Sequence, residues 1–512
     1  MGGVSAVREP ARSPRGVMSG GSHDRGHVFV VHGRIEHLTH DAALIPVDRY
    51  LDFEDHWSAL LGEQMPAEPK GWSSGWGRVD ETNNWLVEVG DGDYEKVLKR
   101  MANAVADVAQ HVSPGLRDLP LVAAPILGVG AGGHGHERGA VIKRLIQTST
   151  RLAEQHQIDI ALVTPSASVY AAAQHVRRNG RPGSESPVIQ RLAQRARSGD
   201  LALFLGAGVS IPAGLPSWTD LIAGLAAQTK GVDPEWLVGL GPTDQAELIQ
   251  KLDTKRFARR VKTWVDVPDR RPSLLHALLS GLAVDQVVTT NYDVLYERAA
   301  GATGQAVQRV LPWDTDAGSG SWILKLHGDI SFPESIVLTR RHMVRYDAAN
   351  KPSAALLQSL LLTKHLLFVG VSFTDDNLIR LVHEVEAYRD EHLPKSRRRS
   401  DAPSPFASVI DPAPAADEAR AQLWDGRIDW VRARHELGVD SFRSQEILLD
   451  QIAMYASRDA SWLLDERFEG MLNPEDRELA ELARRLRAAL PSESDTWRGL
   501  VAALDRLGAQ RA

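Results

Sequence analysis

Leu201–Trp218 reads LALFLGAGVSIPAGLPSW. A short apolar run bounded by glycine has the pattern of a buried strand. Behind it the chain sets three glycines and two prolines in thirteen residues. Glycine there either lets the backbone come close to a ligand or serves a turn that needs positive φ. Three further apolar runs end in the same way. Thr290-Asn291-Tyr292-Asp293 follows DQVV, His327-Gly328-Asp329 follows SWILKL, and Gly370-Val371-Ser372 follows HLLFV. In an open parallel sheet, ligands bind in the crevice outside the carboxyl ends of the strands. Four turns at four strand ends can therefore meet at one site although they are far apart in sequence. The first turn is not G-x-G-x-x-G, and no Gly-Lys-Ser/Thr follows it, so neither a dehydrogenase fingerprint nor a P-loop is indicated.

With 512 residues, two or three domains are expected. The apolar share of 43% and the charged share of 24% are those of a globular chain. A net charge of -7 gives no global footprint for nucleic acid. No apolar stretch approaches the roughly 20 residues that span a bilayer. The absence of cysteine excludes disulfides, thiolate nucleophiles and every zinc site that needs Cys. Residues 1–25 lack an apolar core and read as a disordered leader, and a cytoplasmic location is expected.

Residues 26–180 alternate strand-like runs (His27–Gly33, Ala42–Val47, Leu121–Gly130, Ile158–Thr164) with helical spacing, which predicts a smaller α/β domain. Residues 181–187 have linker composition. A second α/β domain, with a Rossmann-like parallel sheet, is expected over 188–442, with the four-proline stretch 395–417 as an exposed loop. A helical region, 443–512, follows. Asn473 caps one of its helices, and Leu479, Leu482 and Leu486 form an apolar stripe.

GAGVSxxxGLPSW, TTNYD, LHGD and FVGVSFTDDN together resemble the sirtuin family, in particular its bacterial antiviral branch. The resemblance implies that Gly206, Ala207, Gly208 and Ser210 hold the phosphates and nicotinamide ribose of NAD+. Thr290, Gly328 and Trp218 are expected among the residues that bind NAD+. Gly370 and Ser372 would meet the adenosine side, and Phe204, Pro216 and Trp218 would supply apolar walls. It further implies that Asn291 orients the ribose or a water, Asp293 recognises the nicotinamide amide, and His327 is the general base. A neutral imidazole suits that role. Deacylating sirtuins carry a four-cysteine zinc module, and this chain has no cysteine. Water is then the default acceptor, and no zinc is expected.

The expected activity is hydrolysis of the nicotinamide–ribose bond, giving nicotinamide and ADP-ribose or a cyclic form, in a regulated defence role. The alternatives are an NAD-dependent deacylase or ADP-ribosyltransferase, or a non-catalytic module that senses NAD or ADP-ribose. The family implies NAD+, a homo-oligomer and a partner such as a HerA-type ATPase, an Argonaute or another defence protein. Neither a membrane nor direct contact with nucleic acid is expected.

GRIEHLTHDAALIPVD with PILGVGAGGHGHERGAVIKRL resembles a macrodomain. It implies that Asp41 meets adenine and that Gly128, Gly130, Gly132 and Gly133 line a diphosphate; the competing reading is a plain assembly domain. His134, His136 and Glu137 lack a further ligand, so no metal is expected there. Arg397, Arg398 and Arg399 read as a solvated loop, and Trp462 and Trp497 as core.

Overall fold

Two mostly parallel sheets carry the chain. A computed structural model describes residues 25–64, 66–90, 92–130, 132–180, 186–314, 320–349, 351–373, 375–392, 405–411, 418–424, 426–432, 441–491 and 495–509. The expected leader (except Arg25), most of the expected linker and Arg397–Arg399 lie outside the described residues.

The first sheet holds β1 (Val28–His32), β2 (Ala42–Val47), β3 (Trp76–Arg78), β4 (Asn84–Glu88), β5 (Leu121–Pro125) and β6 (Asp159–Thr164), in the order β1-β6-β5-β2-β4-β3. Only β3 runs antiparallel, against β4. The second holds β7 (Leu201–Leu205), β8 (Gln286–Thr289), β9 (Arg309–Leu311), β10 (Trp322–Lys325), β11 (His365–Val369), β12 (Ala407–Asp411) and β13 (Ile428–Arg432). Its order is β13-β12-β11-β7-β8-β10-β9, and every pairing is parallel. Strands such as VFVVH and LALFL are buried along their whole length, as strands covered on both faces must be.

The inner faces of both sheets share one core, in which Phe29, Ile45 and Ala161 of the first sheet join Leu203, Val287 and Leu367 of the second. The helices Pro187–Ser198, Leu274–Ser280 and Ser441–Ala456 fill the space between. The last of these is the wedge. Leu448, Leu449 and Ile452 enter the shared core, while its charged residues reach the first sheet. Arg443 forks onto Asp159 with two 2.8 Å bonds, and Arg117 joins from the far side at 2.6 Å. Asp450 accepts Arg177 Nη1 at 2.9 Å and faces His27 Nε2 at 2.8 Å. Both carboxylates are fully buried, so removing one partner of such a pair costs roughly 3–5 kcal/mol.

Several expectations change. The stretch 395–417 is not one exposed loop: Ala407–Asp411 is β12, paired on both sides, with Phe406, Val409 and Ile410 buried. Its prolines flank an apolar run that the composition hid. The boundary expected at 442 falls at the start of the wedge helix, and every element described after it is helical. Pro187, read as linker, opens a helix capped by Ser186. Beyond the wedge, Phe468 lies against Gly139 of the helix Arg138–His156, and Trp462 packs on His175 with ring centroids 4.6 Å apart. Trp497 stands 48% exposed, and Leu479, Leu482 and Leu486 are 62%, 51% and 46% exposed. That helix instead buries Ala480 and Arg487.

Candidate functional site

The first turn begins where β7 ends. Gly206 N–H continues the ladder to Val369 O at 2.9 Å, and Gly208 N–H reaches Gly370 O at 3.0 Å. A Cβ on Gly206 would lie 2.4 Å from Gly370 O, and one on Gly208 2.7 Å from Gly370 Cα. The two glycine turns are therefore thin because they pack backbone against backbone. The sequence offered close approach to a ligand or a turn at positive φ; Gly206 and Gly208 are not at positive φ, and what they lie close against is the Gly370 backbone.

That packing fixes the carbonyl of Gly206, which accepts Asn291 Nδ2 at 3.0 Å. The same amide nitrogen donates to Ser210 Oγ at 3.1 Å, and Ser210 Oγ donates to Asp293 Oδ2 at 2.8 Å. Asp293 Oδ1 accepts Leu295 N–H at 3.0 Å. Both Asn291 amide hydrogens are thus spent inside the protein, and its carbonyl oxygen is left as the acceptor for a ligand or water.

Behind Ser210 stands His276, which the sequence reading did not single out. Ser273 N–H donates to its Nδ1 at 3.1 Å, so the proton sits on Nε2, which faces Ser210 Oγ at 3.3 Å. Burial holds its pKa down to about 4, against a smaller opposing pull from Asp293. A neutral donor behind Ser210 lets the hydroxyl turn its own proton toward Asp293.

One narrow cavity of about 80 Å3 is lined by Ala207, Ser210, Pro216, Trp218, Thr290, Asn291 and Asp293, among others. Trp218 Nε1 is buried there with no hydrogen-bond partner among the described residues. Phe204, expected as a wall, is instead in the core against Phe368, with ring centroids 5.0 Å apart. Over the cavity lies a helical layer, in which Leu221, Ile249 and Val261 pack around Tyr292.

His327 does not line this cavity. It is 3% exposed, at the end of β10, and its Nε2 stands 3.1 Å from Asp375 Oδ2. Burial pushes the Asp375 carboxyl up, but its bond and charge interaction with His327 outweigh this and the net shift is down. The His327 turn is stitched to the Asn291 turn. Leu326 N–H bonds Thr289 O at 2.9 Å, Ile330 N–H bonds Tyr292 O at 2.9 Å, and Lys325 Nζ donates to Asp293 O at 2.6 Å. Lys325 itself is buried between Glu297 at 2.9 Å and Asp329 at 2.5 Å. Those two carboxylates outweigh its desolvation and raise its pKa. A lysine inside the apolar run WILKL was the available sign of this post, and Asp375 lay within a quoted motif without being singled out. Gly328 sits at φ +97°, where a Cβ would meet Ser335 O at 2.4 Å. Gly370 and Ser372 lie at the end of β11, outside the cavity lining, with Ser372 exposed.

In the first half, Asp41 lies at the amino end of β2, where its two oxygens accept Gly115 N–H at 3.0 Å and Leu121 N–H at 2.8 Å. The glycine-rich turn follows the carboxyl end of the neighbouring parallel strand β5. Asp41 is therefore a backbone anchor at the opposite edge from Gly128, Gly130, Gly132 and Gly133. His134 is buried edge-on to Tyr94, while His136 and Glu137 are exposed. Among the described residues, no group of three or more His, Asp or Glu is placed to hold a metal.

Residues 285–427 match the family model described as a SIR2-like domain. The match includes Asn291, Asp293, His327, Gly370 and Ser372. The chain is 28% identical over 211 residues to an NAD(+) hydrolase ThsA of Acinetobacter baumannii, covering 40% of this chain and 43% of that protein. An NAD(+) hydrolase ThsA of Enterococcus faecium is 30% identical, covering 39% and 42%. The Defense-associated sirtuin 2 of Bacillus subtilis is 25% identical, covering 45% of this chain and 23% of that protein. The chain thus spans less than half the length of these curated relatives. Residues 285–427, which carry β8 to β12 and the turns behind β8, β10 and β11, are similar to a SIR2-like domain.

Proposed function

We propose that this chain hydrolyses NAD+ at the nicotinamide–ribose bond, releasing nicotinamide and ADP-ribose or its cyclic form, as a regulated effector of antiviral defence. The observation that carries this reading is the Asn291 amide, held by Gly206 and Ser210 beside Asp293, with its carbonyl oxygen left for a ribose hydroxyl or a water. The leaving of nicotinamide has oxocarbenium character, so a fixed acceptor near the anomeric carbon favours the transition state over the ground state. Asp293 would hold the carboxamide, Trp218 would wall the ring, and His327, oriented by Asp375, would accept the proton. At about 80 Å3 the cavity is well below the roughly 300–1,000 Å3 of sites that take a drug-sized ligand, which fits one end of a dinucleotide. The rest of NAD+ would run along the Gly206–Ser210 and Gly370–Ser372 turns.

The test is NAD+ consumption with product analysis on the full chain. Wild type should release nicotinamide and ADP-ribose. Asn291→Ala and His327→Ala should each lose a factor of roughly 10²–10⁴. Turnover equal to wild type in both variants rejects the assignment.

We further read residues 26–180 as a macro-like domain whose glycine-rich turn takes a diphosphate. Gly128 and Gly133 at positive φ, the first backed by the Tyr94 ring, support that reading. We also propose that the chain self-associates, acts in the cytoplasm and works with a partner protein. Self-association is supported by the exposed Leu479, Leu482 and Leu486. The helix bearing them has acidic Glu475 and Glu478 at one end and Arg485 at the other, so an antiparallel second copy would match opposite charges. Among the described residues, no helix is long and apolar enough to cross a membrane.

A further inference from the structure

The second sheet has a second pocket at its other edge. The amino ends of β7 and β11 border a cavity of about 200 Å3 lined by Arg195, Asp200, Lys364, His365, Arg389 and Phe406, among others. Three cationic side chains face a single carboxylate.

Their bonding leaves that charge unspent. Arg195 Nε is buried without a hydrogen-bond partner, and among the described residues its guanidinium forms no ion pair. Lys364 Nζ gives one hydrogen to Gly199 O at 2.6 Å. Arg389 lies over the Phe406 ring at 5.2 Å, a contact that orients the guanidinium but does not neutralise it. Asp200 Oδ2 accepts Ser198 Oγ at 2.7 Å and is the one carboxylate among the described lining residues. Burial first, then the charges of Arg195 and Arg191, hold the His365 pKa down to about 3, so the ring adds no charge and bonds Ser408 Oγ at 2.8 Å. Among the described lining residues three half-buried cations face one exposed carboxylate, and the buried Arg195 Nε is a donor that an anion in the cavity would satisfy.

We propose that this pocket binds the phosphate group of a small phosphorylated ligand, at a site separate from the catalytic crevice. The guanidinium and ammonium donors suit a tetrahedral oxyanion with several acceptor oxygens. The two sites lie at opposite ends of the same strands, roughly 13 Å of strand apart. A volume of about 200 Å3 falls below the roughly 300–1,000 Å3 of sites that take a drug-sized ligand, so it suits a phosphate or diphosphate and not a whole dinucleotide.

Calorimetric titration of the full chain with inorganic pyrophosphate, and separately with ADP, tests this. Both should bind saturably, and Arg195→Gln and Lys364→Gln should each weaken binding about tenfold. ADP tighter than pyrophosphate would identify a nucleotide as the phosphate source, and equal affinity the phosphate alone. Absence of saturable binding, or binding unaltered in both variants because the anion occupies the catalytic crevice, overturns the proposal. Among the described residues the Arg195 side chain has no hydrogen bond or ion pair to lose, so its variant should retain the fold; an unchanged unfolding midpoint verifies this, and the lysine variant supplies an independent reading.

Discussion

Gly206 and Gly370 face each other with no room for a side chain on either. A Cβ on Gly370, at φ +69°, would sit 2.6 Å from Val209 N, and one on Gly206 would sit 2.4 Å from Gly370 O. Gly370→Ala therefore combines a left-handed backbone with a clash, and should destabilise the protein by roughly 2–4 kcal/mol in urea unfolding. Gly231→Ala, also left-handed at φ +85° but with nothing within 4 Å, should cost only about 1 kcal/mol. Equal costs would mean that the two turns are not in close contact.

Asp375 should matter through His327. Asp375→Asn keeps the shape but removes the carboxylate that faces His327 Nε2 and holds its ring in place, so kcat should fall roughly 10²-fold with KM little changed. A variant that changes KM alone would make Asp375 a substrate contact and not a positioning group.

Acid should loosen the fold from below neutrality. His276, His40 and His365 are held neutral by burial, with pKa values of about 4, 4 and 3 against 6.5 when unfolded. Between those values the unfolded chain binds more protons, so stability rises with pH across about 4 to 6.5 and is lost as pH falls through that window. The slope of unfolding free energy against pH should be steep there, and His276→Gln should flatten it. An identical slope in that variant would show that His276 titrates normally in the folded protein.

Charge exchange tests the self-association. Arg485→Glu or Glu478→Arg alone should shift light-scattering mass toward the monomer, and the double variant should restore the larger species. Leu482→Glu should give the monomer at every concentration. A wild type that stays monomeric at high concentration removes the second copy as the occupant of this face.

Much of the second sheet was legible because each strand that matters is a short apolar run with a polar turn behind it. Asn291, Ser210 and Asp293 were therefore placed together from sequence, and the structure gathers them with Trp218 around one cavity. What was not legible depends on tertiary neighbours. His276 sits in an ordinary apolar helix, SLLHALLS, and reaches Ser210 across 66 residues of sequence. Phe204 alternates along a strand covered on both faces, so no local pattern says which face meets a ligand. β12 was lost to its flanking prolines, and the leucine stripe was read correctly as a stripe but says nothing about what covers it. Asp41 fits a motif position, and only the strand direction shows that it anchors the opposite edge.

The wedge helix Ser441–Ala456 decides how the molecule comes apart. Because Arg443 and Asp450 are ion-paired to the first half while Leu448 and Ile452 fill the shared core, neither half can melt without stranding buried charge or opening the interior of the other. Heat should produce one calorimetric transition instead of two. Any ligand that tightens one sheet will raise the melting temperature of both.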